Sequence, residues 1–116
     1  MAGDARSVVD RLFEALAARD LDAVAALYAS DADVVRYDGA AAGLDEIQVF
    51  YGRYLETHGQ YSLDQIVQFA TVDDVVIWDA MVSTDHGKLL TYDVAILDDA
   101  GAIKRHIPTI RGYWGL

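Results

Sequence analysis

Residues 88–111 have the sequence KLLTYDVAILDDAGAIKRHIPTIR, which predicts two β-strands joined by a tight turn. Large apolar side chains recur at every second position from Leu90 to Ile96, and this period of two is typical of a strand. The segment 98–101, DDAG, contains the aspartate and glycine residues that hairpin turns prefer. The stretch therefore predicts a β-hairpin.

The register of this hairpin decides which side chains meet. If Leu97 pairs with Ala102, Asp93 lies directly opposite His106. Opposed residues project from the same face of a sheet, with Cβ atoms about 4.5–5.5 Å apart. A carboxylate beside an imidazole fixes the tautomer of the ring and raises its basicity. The hairpin therefore predicts Asp93 and His106 as an acid–base pair, which a slip of one residue would separate.

The chain before the hairpin predicts three helices, each from apolar residues at helical spacing. Asp4 can cap the first helix and Asp20 the second, while Gly59 lies where the third should end. The buried side of the second helix is expected to comprise Leu21, Val24, Ala25 and Tyr28. The remaining predicted elements are a short strand at 33–37, a loop of small residues at 38–43 and the third helix at 45–57.

After the third helix the period changes from helical to alternating. Pro108 indicates an edge or a bulge in the last strand. Helices followed by an antiparallel meander favour an α+β fold over alternating βαβ units. We therefore expect the helices to cover one face of a curved, mostly antiparallel sheet, with a pocket between the two layers. The predicted strands are 61–71, 75–84, 88–97 and 103–114.

The composition limits the classes of function. A chain of 116 residues that is 53% hydrophobic is expected to form one domain, residues 1–116, with a substantial core. The net charge of −10 disfavours binding to nucleic acid or to an anionic membrane surface, because both are negatively charged. The lack of cysteine and of a signal sequence favours a cytoplasmic location. The sequence has no glycine-rich phosphate loop and no metal-ligand spacing, so neither a metal nor another cofactor is predicted.

Three stretches carry a resemblance to a known family: VVDRLFEALAARDLDAVAALYASDADV at 8–34, GLDEIQVFYGRYL at 43–55 and YDVAILDDAGAIKRHIPTIRGYWG at 92–115. Together they resemble the nuclear transport factor 2 superfamily, and in particular its SnoaL-like proteins. The resemblance implies a cone-shaped α+β fold with an interior pocket for a small hydrophobic molecule, and a homodimer formed through the outer face of the sheet. The superfamily includes polyketide cyclases, ketosteroid isomerases, limonene-epoxide hydrolases and scytalone dehydratases, so the reaction stays open.

The ketosteroid isomerases can be compared with this chain residue by residue. The hydrogen-bonding acid of their oxyanion site falls on Asp93, and two supporting tyrosines fall on Tyr28 and Tyr51. Their catalytic tyrosine falls on Leu12, and their general-base aspartate falls on Arg36. Leucine donates no hydrogen bond, and arginine does not act as a base at neutral pH. The resemblance therefore implies a shared pocket, but not steroid isomerisation by the usual residues.

The position of Asp93 has two interpretations. The face with the large side chains from Leu90 to Ile96 is the more apolar, and by pattern alone it would form the core and leave Asp93 outside. The resemblance implies the reverse, with Asp93 in the pocket and the apolar face in a dimer interface. A buried carboxylate is costly unless it is paired or protonated, so the second interpretation requires a partner such as His106.

Six further residues are candidates for contact with a bound molecule: Arg36, Tyr28, Tyr51, Tyr54, Trp78 and Leu12. Arg36 would supply a permanent positive charge suited to a carboxylate, phenolate or enolate, or else form a surface ion pair. The three tyrosines would point hydroxyls into the pocket, or else pack the core. Trp78 and Leu12 would form apolar walls.

These observations favour a small cofactor-independent enzyme that uses Asp93 and His106 for acid–base chemistry on a hydrophobic, oxygenated molecule. The reaction would be a cyclisation, an isomerisation, a dehydration or an epoxide hydrolysis. One alternative is a non-catalytic binding module with the same pocket, and another is a domain whose sheet face serves association. The hypotheses differ in whether Asp93 and His106 project into a closed cavity or onto a flat face.

Overall fold

The computed structural model describes residues 5–115, in which helices precede a long antiparallel meander. The helices are α1 (Ala5–Ala18), α2 (Leu21–Ala25) and α3 (Leu44–His58). The strands are β1 (Tyr28–Arg36), β2 (Gly39–Ala42), β3 (Tyr61–Val72), β4 (Val75–Thr84), β5 (Gly87–Leu97) and β6 (Ile103–Gly115). The predicted cap at Asp4 lies outside the described residues.

The helix signals in the sequence correspond to the observed helix ends. The Asp20 carboxylate accepts a hydrogen bond from the Ala23 amide at 3.1 Å, which confirms the predicted cap of α2. Gly59 ends α3 with a φ of 73°, a conformation that glycine adopts without the strain a side chain would add. The buried side of α1 has the helical spacing from which this helix is predicted, and it includes Val8, Val9, Leu12, Phe13 and Leu16.

One six-stranded sheet has the order β2-β1-β6-β5-β4-β3, and the β1–β6 pair alone is parallel. Along β5, buried residues alternate with more exposed ones, and the buried set contains Thr91, Asp93 and Ala95. The apolar stripes of α1 and α3 pack against this buried face and form the core. The α+β expectation is therefore confirmed, and the pattern-based interpretation that placed Asp93 outside the core is wrong.

The predicted hairpin register is also wrong, although the face that it assigned is right. Leu97 pairs with Ile103, and an irregularity next to this pair makes the later pairs Ala95–His106 and Asp93–Pro108. The total shift from the predicted register is two residues. Because side chains alternate with a period of two, Asp93 and His106 stay on one face as diagonal neighbours.

Two local predictions fail because distant strand pairing prevails over local pattern. Tyr28 does not lie on α2 but begins β1, where it pairs in parallel with Ile103. Residues 39–42 form β2 against the end of β1, although their small side chains predict a loop. Pro108 lies beyond the last β1–β6 pair, at Val34 and His106, which agrees with the edge expected at a proline. No helix among residues 5–115 is long and apolar enough to cross a membrane.

Candidate active site

Four polar side chains form a buried hydrogen-bonded network on the inner face of the sheet. The Oδ2 atom of Asp93 lies 2.7 Å from Nε2 of His106. On the other side of the ring, Nδ1 lies 2.7 Å from the hydroxyl of Tyr28 and 3.2 Å from that of Tyr51. The two hydroxyls are 2.7 Å apart. His106 is only 1% exposed, so this network is sealed from bulk solvent.

Each member of the network comes from a different element. Asp93 is central in β5, and His106 lies on the neighbouring β6. Tyr28 is the first residue of β1, and Tyr51 is on the buried side of α3. Trp78 on β4 is paired with Asp93, and its ring centroid lies 5.5 Å from that of His106. The network therefore connects both layers of the fold.

The hydrogens of the network assign the histidine tautomer. Burial raises the pKa of Tyr28 and of Tyr51 well above 10, so both phenols keep their hydrogens. If Nδ1 of His106 carried a hydrogen, one tyrosine hydrogen would have no acceptor among the described residues. With the hydrogen on Nε2, every hydrogen in the network is bonded. This count favours a His106 that donates from Nε2 to Oδ2 of Asp93 and accepts a tyrosine hydrogen at Nδ1.

A narrow cavity lies beside this network, between the sheet and the helices α1 and α3, and its interior space is about 30 Å³. This is far below the range of about 300–1,000 Å³ that is usual for small-molecule sites, so a bound molecule would also extend through the mouth of the cavity or displace lining side chains. Oδ1 of Asp93 and Oγ1 of Thr91 are buried and make no hydrogen bond among the described residues. The cavity is lined by Leu12, Phe13, Leu16, Arg36, Phe50, Tyr51, Tyr54, Tyr61, Thr91, Asp93, His106, Pro108, Thr109 and Ile110.

A second pair of hydroxyls offers a hydrogen to the cavity. The Tyr54 and Tyr61 oxygens are 2.9 Å apart, and either hydroxyl can donate to the other. Burial raises the pKa of Tyr54 to about 12 and that of Tyr61 well above 10, so both hydroxyls keep their hydrogens. Only one of these two hydrogens is used in the bond between the hydroxyls. The second hydrogen is left for a bound molecule. The cavity thus combines an acceptor at Asp93, a hydroxyl at Thr91 and a donor at the tyrosine pair.

Arg36 lines both the cavity and a wider vestibule of about 600 Å³, and therefore lies at the mouth between them. Its guanidinium carbon is 5.4 Å from the centroid of the Phe50 ring. The Nε atom of Arg36 lies 3.7 Å from Oδ1 of Asp38, and the Asp38 side chain is 85% exposed. Such an exposed, long pair is weak, so Arg36 keeps hydrogen-bond donors for other groups.

The structure places six of the eight candidate residues on the cavity wall: Asp93, His106, Arg36, Tyr51, Tyr54 and Leu12. Tyr28 and Trp78 are buried behind His106 and do not line the cavity. Sequence reasoning missed Tyr61 and Thr91. Thr91 had a usable signal, since it lies two residues from Asp93 on the same strand face. Tyr61 had none, because its contact with Tyr54 depends on how the chain turns after α3.

Residues 5–115 contain no cluster of three or more histidine and acidic side chains that could hold a metal ion. The exposed surface of the lining is mostly apolar, and its polar groups come from Arg36, the three lining tyrosines, Thr91, Asp93, His106 and Thr109. This arrangement can bind a small molecule through its apolar body and accept one hydrogen from it at Asp93.

Comparison with solved structures identifies the same fold in several bacterial proteins. A candidate polyketide cyclase from Sinorhizobium meliloti is 20% identical, with a TM-score of 0.77 over 89% of this chain and 94% of that one. A SnoaL-like protein of unknown function from Burkholderia thailandensis is 15% identical, with a TM-score of 0.80 over 97% and 98%. A candidate ketosteroid isomerase from Kribbella flavida is 16% identical, with a TM-score of 0.78 over 98% and 82%. At these identities the likeness establishes the fold alone.

A search of curated proteins finds no match to the sequence. The family model of the SnoaL-like domain matches residues 9–109, which include α2, α3, the strands β1 to β5 and the network residues on β6. The chain therefore belongs to the SnoaL-like domain family.

Proposed function

We propose that this chain is a small cofactor-independent enzyme that moves protons on a hydrophobic carbonyl compound bound in the cavity. One observation carries the proposal. The Oδ2 atom of Asp93 is hydrogen-bonded to His106. Its other oxygen, Oδ1, is buried and makes no hydrogen bond among the described residues, and Asp93 lines the cavity. An oriented and ionised carboxylate in an apolar cavity is suited to act as a general base.

In the proposed reaction, Oδ1 of Asp93 removes a proton from the carbon next to the substrate carbonyl. The C–H bond breaks, a new O–H bond forms on Asp93, and the electron pair moves to the carbonyl oxygen as an enolate. The free hydrogen of the Tyr54–Tyr61 pair, or that of Thr91, donates to this oxygen. Return of the proton to another carbon completes an isomerisation. Attack of the enolate on a second carbonyl of the same molecule forms a C–C bond and breaks that carbonyl's π bond, and the proton on Asp93 then passes to the resulting alkoxide, which completes a ring closure and restores the base.

His106 acts in this scheme as a positioning residue, because both its nitrogens are bonded to other protein groups. The reaction class agrees with two of the structural neighbours, which are a candidate cyclase and a candidate ketosteroid isomerase. Leu12 and Arg36 line the cavity where the ketosteroid isomerases would need a tyrosine and an aspartate. We therefore do not extend the proposal to steroids.

Proton exchange tests the proposal without knowledge of the natural substrate. The probe is 2-tetralone in D₂O, a small apolar ketone whose α-hydrogens exchange with solvent and disappear from the proton NMR spectrum. The wild-type protein is expected to accelerate this exchange above the buffer rate. Asp93→Asn should lower the accelerated rate by about 100-fold or more, as the loss of a general base does.

Asp79→Asn is the matched control, since Asp79 is a similarly buried aspartate that faces away from the cavity. It should exchange 2-tetralone at the wild-type rate. Equal rates for wild type and Asp93→Asn would contradict the proposal. If 2-tetralone shifts the NMR signals of cavity residues but its exchange is not accelerated, the non-catalytic binding module becomes the better hypothesis.

A further inference from the structure

Two opposite charges lie on the same concave face of the sheet. Val34 and His106 form the last pair of the parallel β1–β6 ladder, and Arg36 lies two residues further along β1, on the same face as Val34. On the other side of β6, Pro108 pairs with Asp93 on β5. Because β6 alone lies between β1 and β5, two inter-strand spacings of about 4.8 Å place these two strands about 10 Å apart. Both side chains line the cavity between these positions.

The two charged groups each keep unused bonding capacity toward the cavity. Oδ1 of Asp93 makes no hydrogen bond among the described residues. Arg36 has its long contact with exposed Asp38, whereas Arg105 forms two bonds of 2.9 Å with Asp33. A bidentate pair like that of Arg105 uses the whole guanidinium edge. The guanidinium of Arg36 forms no such bidentate pair among the described residues.

Tyr54 lies within electrostatic reach of both charges. Burial is the main cause of its high pKa, which the Asp93 carboxylate raises further and the Arg36 guanidinium lowers. Phe50 also lines the cavity, and its ring lies against the guanidinium of Arg36. The cavity therefore has an acceptor at its inner end, a cation at its mouth and aromatic rings between them.

We propose that the preferred ligands are hydrophobic hydroxy acids, bound with the hydroxyl on Asp93 and the ionised carboxylate on Arg36. This names a ligand class for the site and rests on the function proposed above, because the ligand's hydroxyl takes the place at Asp93 that the substrate's carbon acid would occupy. The planar guanidinium matches the geometry of a carboxylate. Because Arg36 lies at the mouth of the cavity, the bound carboxylate of the ligand would stay partly hydrated. The reverse orientation would place the carboxylate against the ionised Asp93, which is repulsive. The apolar body of the ligand would contact the aromatic wall.

The experiment measures the affinities of matched probes by NMR titration. The probes are 6-hydroxy-2-naphthoate and the shorter 4-hydroxybenzoate, each with its neutral amide and with the acid that lacks the hydroxyl. In the wild type, loss of the carboxylate charge and loss of the hydroxyl should each weaken binding of the better-fitting acid by about ten-fold, as expected for one hydrogen bond to a charged group.

The variants assign each preference to one residue. Arg36→Gln should bind acid and amide about equally, while Arg36→Lys keeps most of the preference for the acid. Arg53→Gln is the matched control, since Arg53 lines the vestibule but not the cavity, and it should retain the wild-type preference. Asp93→Asn should lose the preference for the hydroxyl while keeping that for the carboxylate.

The proposal is overturned if the amides bind the wild type as tightly as the acids, or if none of the probes binds at millimolar concentration. It is also overturned if Arg53→Gln removes the preference as fully as Arg36→Gln. These binding results are independent of proton exchange in 2-tetralone. A protein that exchanges 2-tetralone but ignores the carboxylate would keep the proposed function and lose only this inference.

Discussion

Two aspartates on neighbouring strands are buried almost equally, yet they lie on opposite faces of the sheet. Asp93 on β5 is 7% exposed and Asp79 on β4 is 6% exposed. Asp93 faces the cavity and bonds to His106 at 2.7 Å. Asp79 faces outward and bonds to Arg111 at 3.0 Å, and the Arg111 side chain is 52% exposed. Burial alone therefore does not distinguish a candidate catalytic carboxylate from a structural one.

The difference lies in the partner and in the enclosure. Arg111 is permanently charged, so its pair with Asp79 is an ordinary ion pair beside solvent. His106 carries no permanent charge, and Oδ1 of Asp93 makes no hydrogen bond among the described residues and belongs to a residue that lines the cavity. A carboxylate with a fixed orientation and one free oxygen has the geometry of a base. A carboxylate under an exposed arginine does not.

The comparison predicts very different costs for removing the two partners. His106→Ala should lower the free energy of unfolding by about 3–5 kcal/mol, because it leaves a buried carboxylate and a tyrosine hydroxyl unpaired. Arg111→Ala should lower it by about 1 kcal/mol or less, because solvent can replace the exposed guanidinium. Urea denaturation followed by circular dichroism measures both values. Similar losses for the two variants would contradict the distinction between the faces.

The tyrosines provide a second test of the difference between the inner network and the outer face, at high pH. Of the seven tyrosines, four belong to the cavity or the network: Tyr28, Tyr51, Tyr54 and Tyr61. Burial raises the pKa of all four. Their stabilising contribution is complete below the unfolded value of about 10 and is lost as pH rises through the folded values.

Absorbance titration of the phenols measures this effect. No more than three tyrosines should ionise while the protein stays folded, and the other four should ionise together as it unfolds in alkali. A smooth titration of all seven tyrosines before any loss of circular dichroism would contradict the burial of the inner network. Tyr51→Phe provides a control, since it should remove one of the late-ionising groups and leave the earlier part of the titration unchanged.

The sequence correctly predicted that Asp93 and His106 share one face of the sheet, although the predicted register was wrong. The predicted register paired Leu97 with Ala102, whereas Leu97 pairs with Ile103 and an irregularity follows at Lys104. Lys104 is exposed and has no local feature that indicates a bulge. The alternation of side chains is a robust signal because an even shift preserves the face. The exact partner depends on turn geometry, which composition does not determine.

Other features depended on contacts between distant parts of the chain. The helical spacing of Tyr28 is compatible with α2, but its parallel pairing with Ile103 makes it part of β1. Trp78 was predicted as a cavity wall, but it is buried outside the lining, with its ring centroid 5.5 Å from that of His106. The choice of inner face also came from the resemblance, since the more apolar face of β5 turns outward. Packing against helices, not hydrophobicity alone, decided that choice.

The outer face itself gives the prediction with the smallest effect on the fold. Ile77, Val94 and Ile107 are aligned across three neighbouring strands, and Ile107 is 39% exposed. Helices cover only the other face, so this apolar row lacks a covering layer within the described chain. We propose that a second copy covers it, because a two-fold axis would place two identical apolar rows in contact and the nearby Asp79–Arg111 pair needs no further partner.

Light scattering should therefore give twice the chain mass for the wild type and the single chain mass for Val94→Lys. The unfolding free energy of the isolated subunit should change by only about 0.5–1 kcal/mol, since Val94 is partly exposed and lies outside the inner network. Tyr37→Lys is the control, because Tyr37 is fully exposed in the turn between β1 and β2, away from the row, and it should remain dimeric. A monomeric wild type at micromolar concentration would contradict the proposal. A dimer that survives Val94→Lys would instead move the interface to another surface, since a buried lysine in a two-fold contact would face its own copy without a counter-charge.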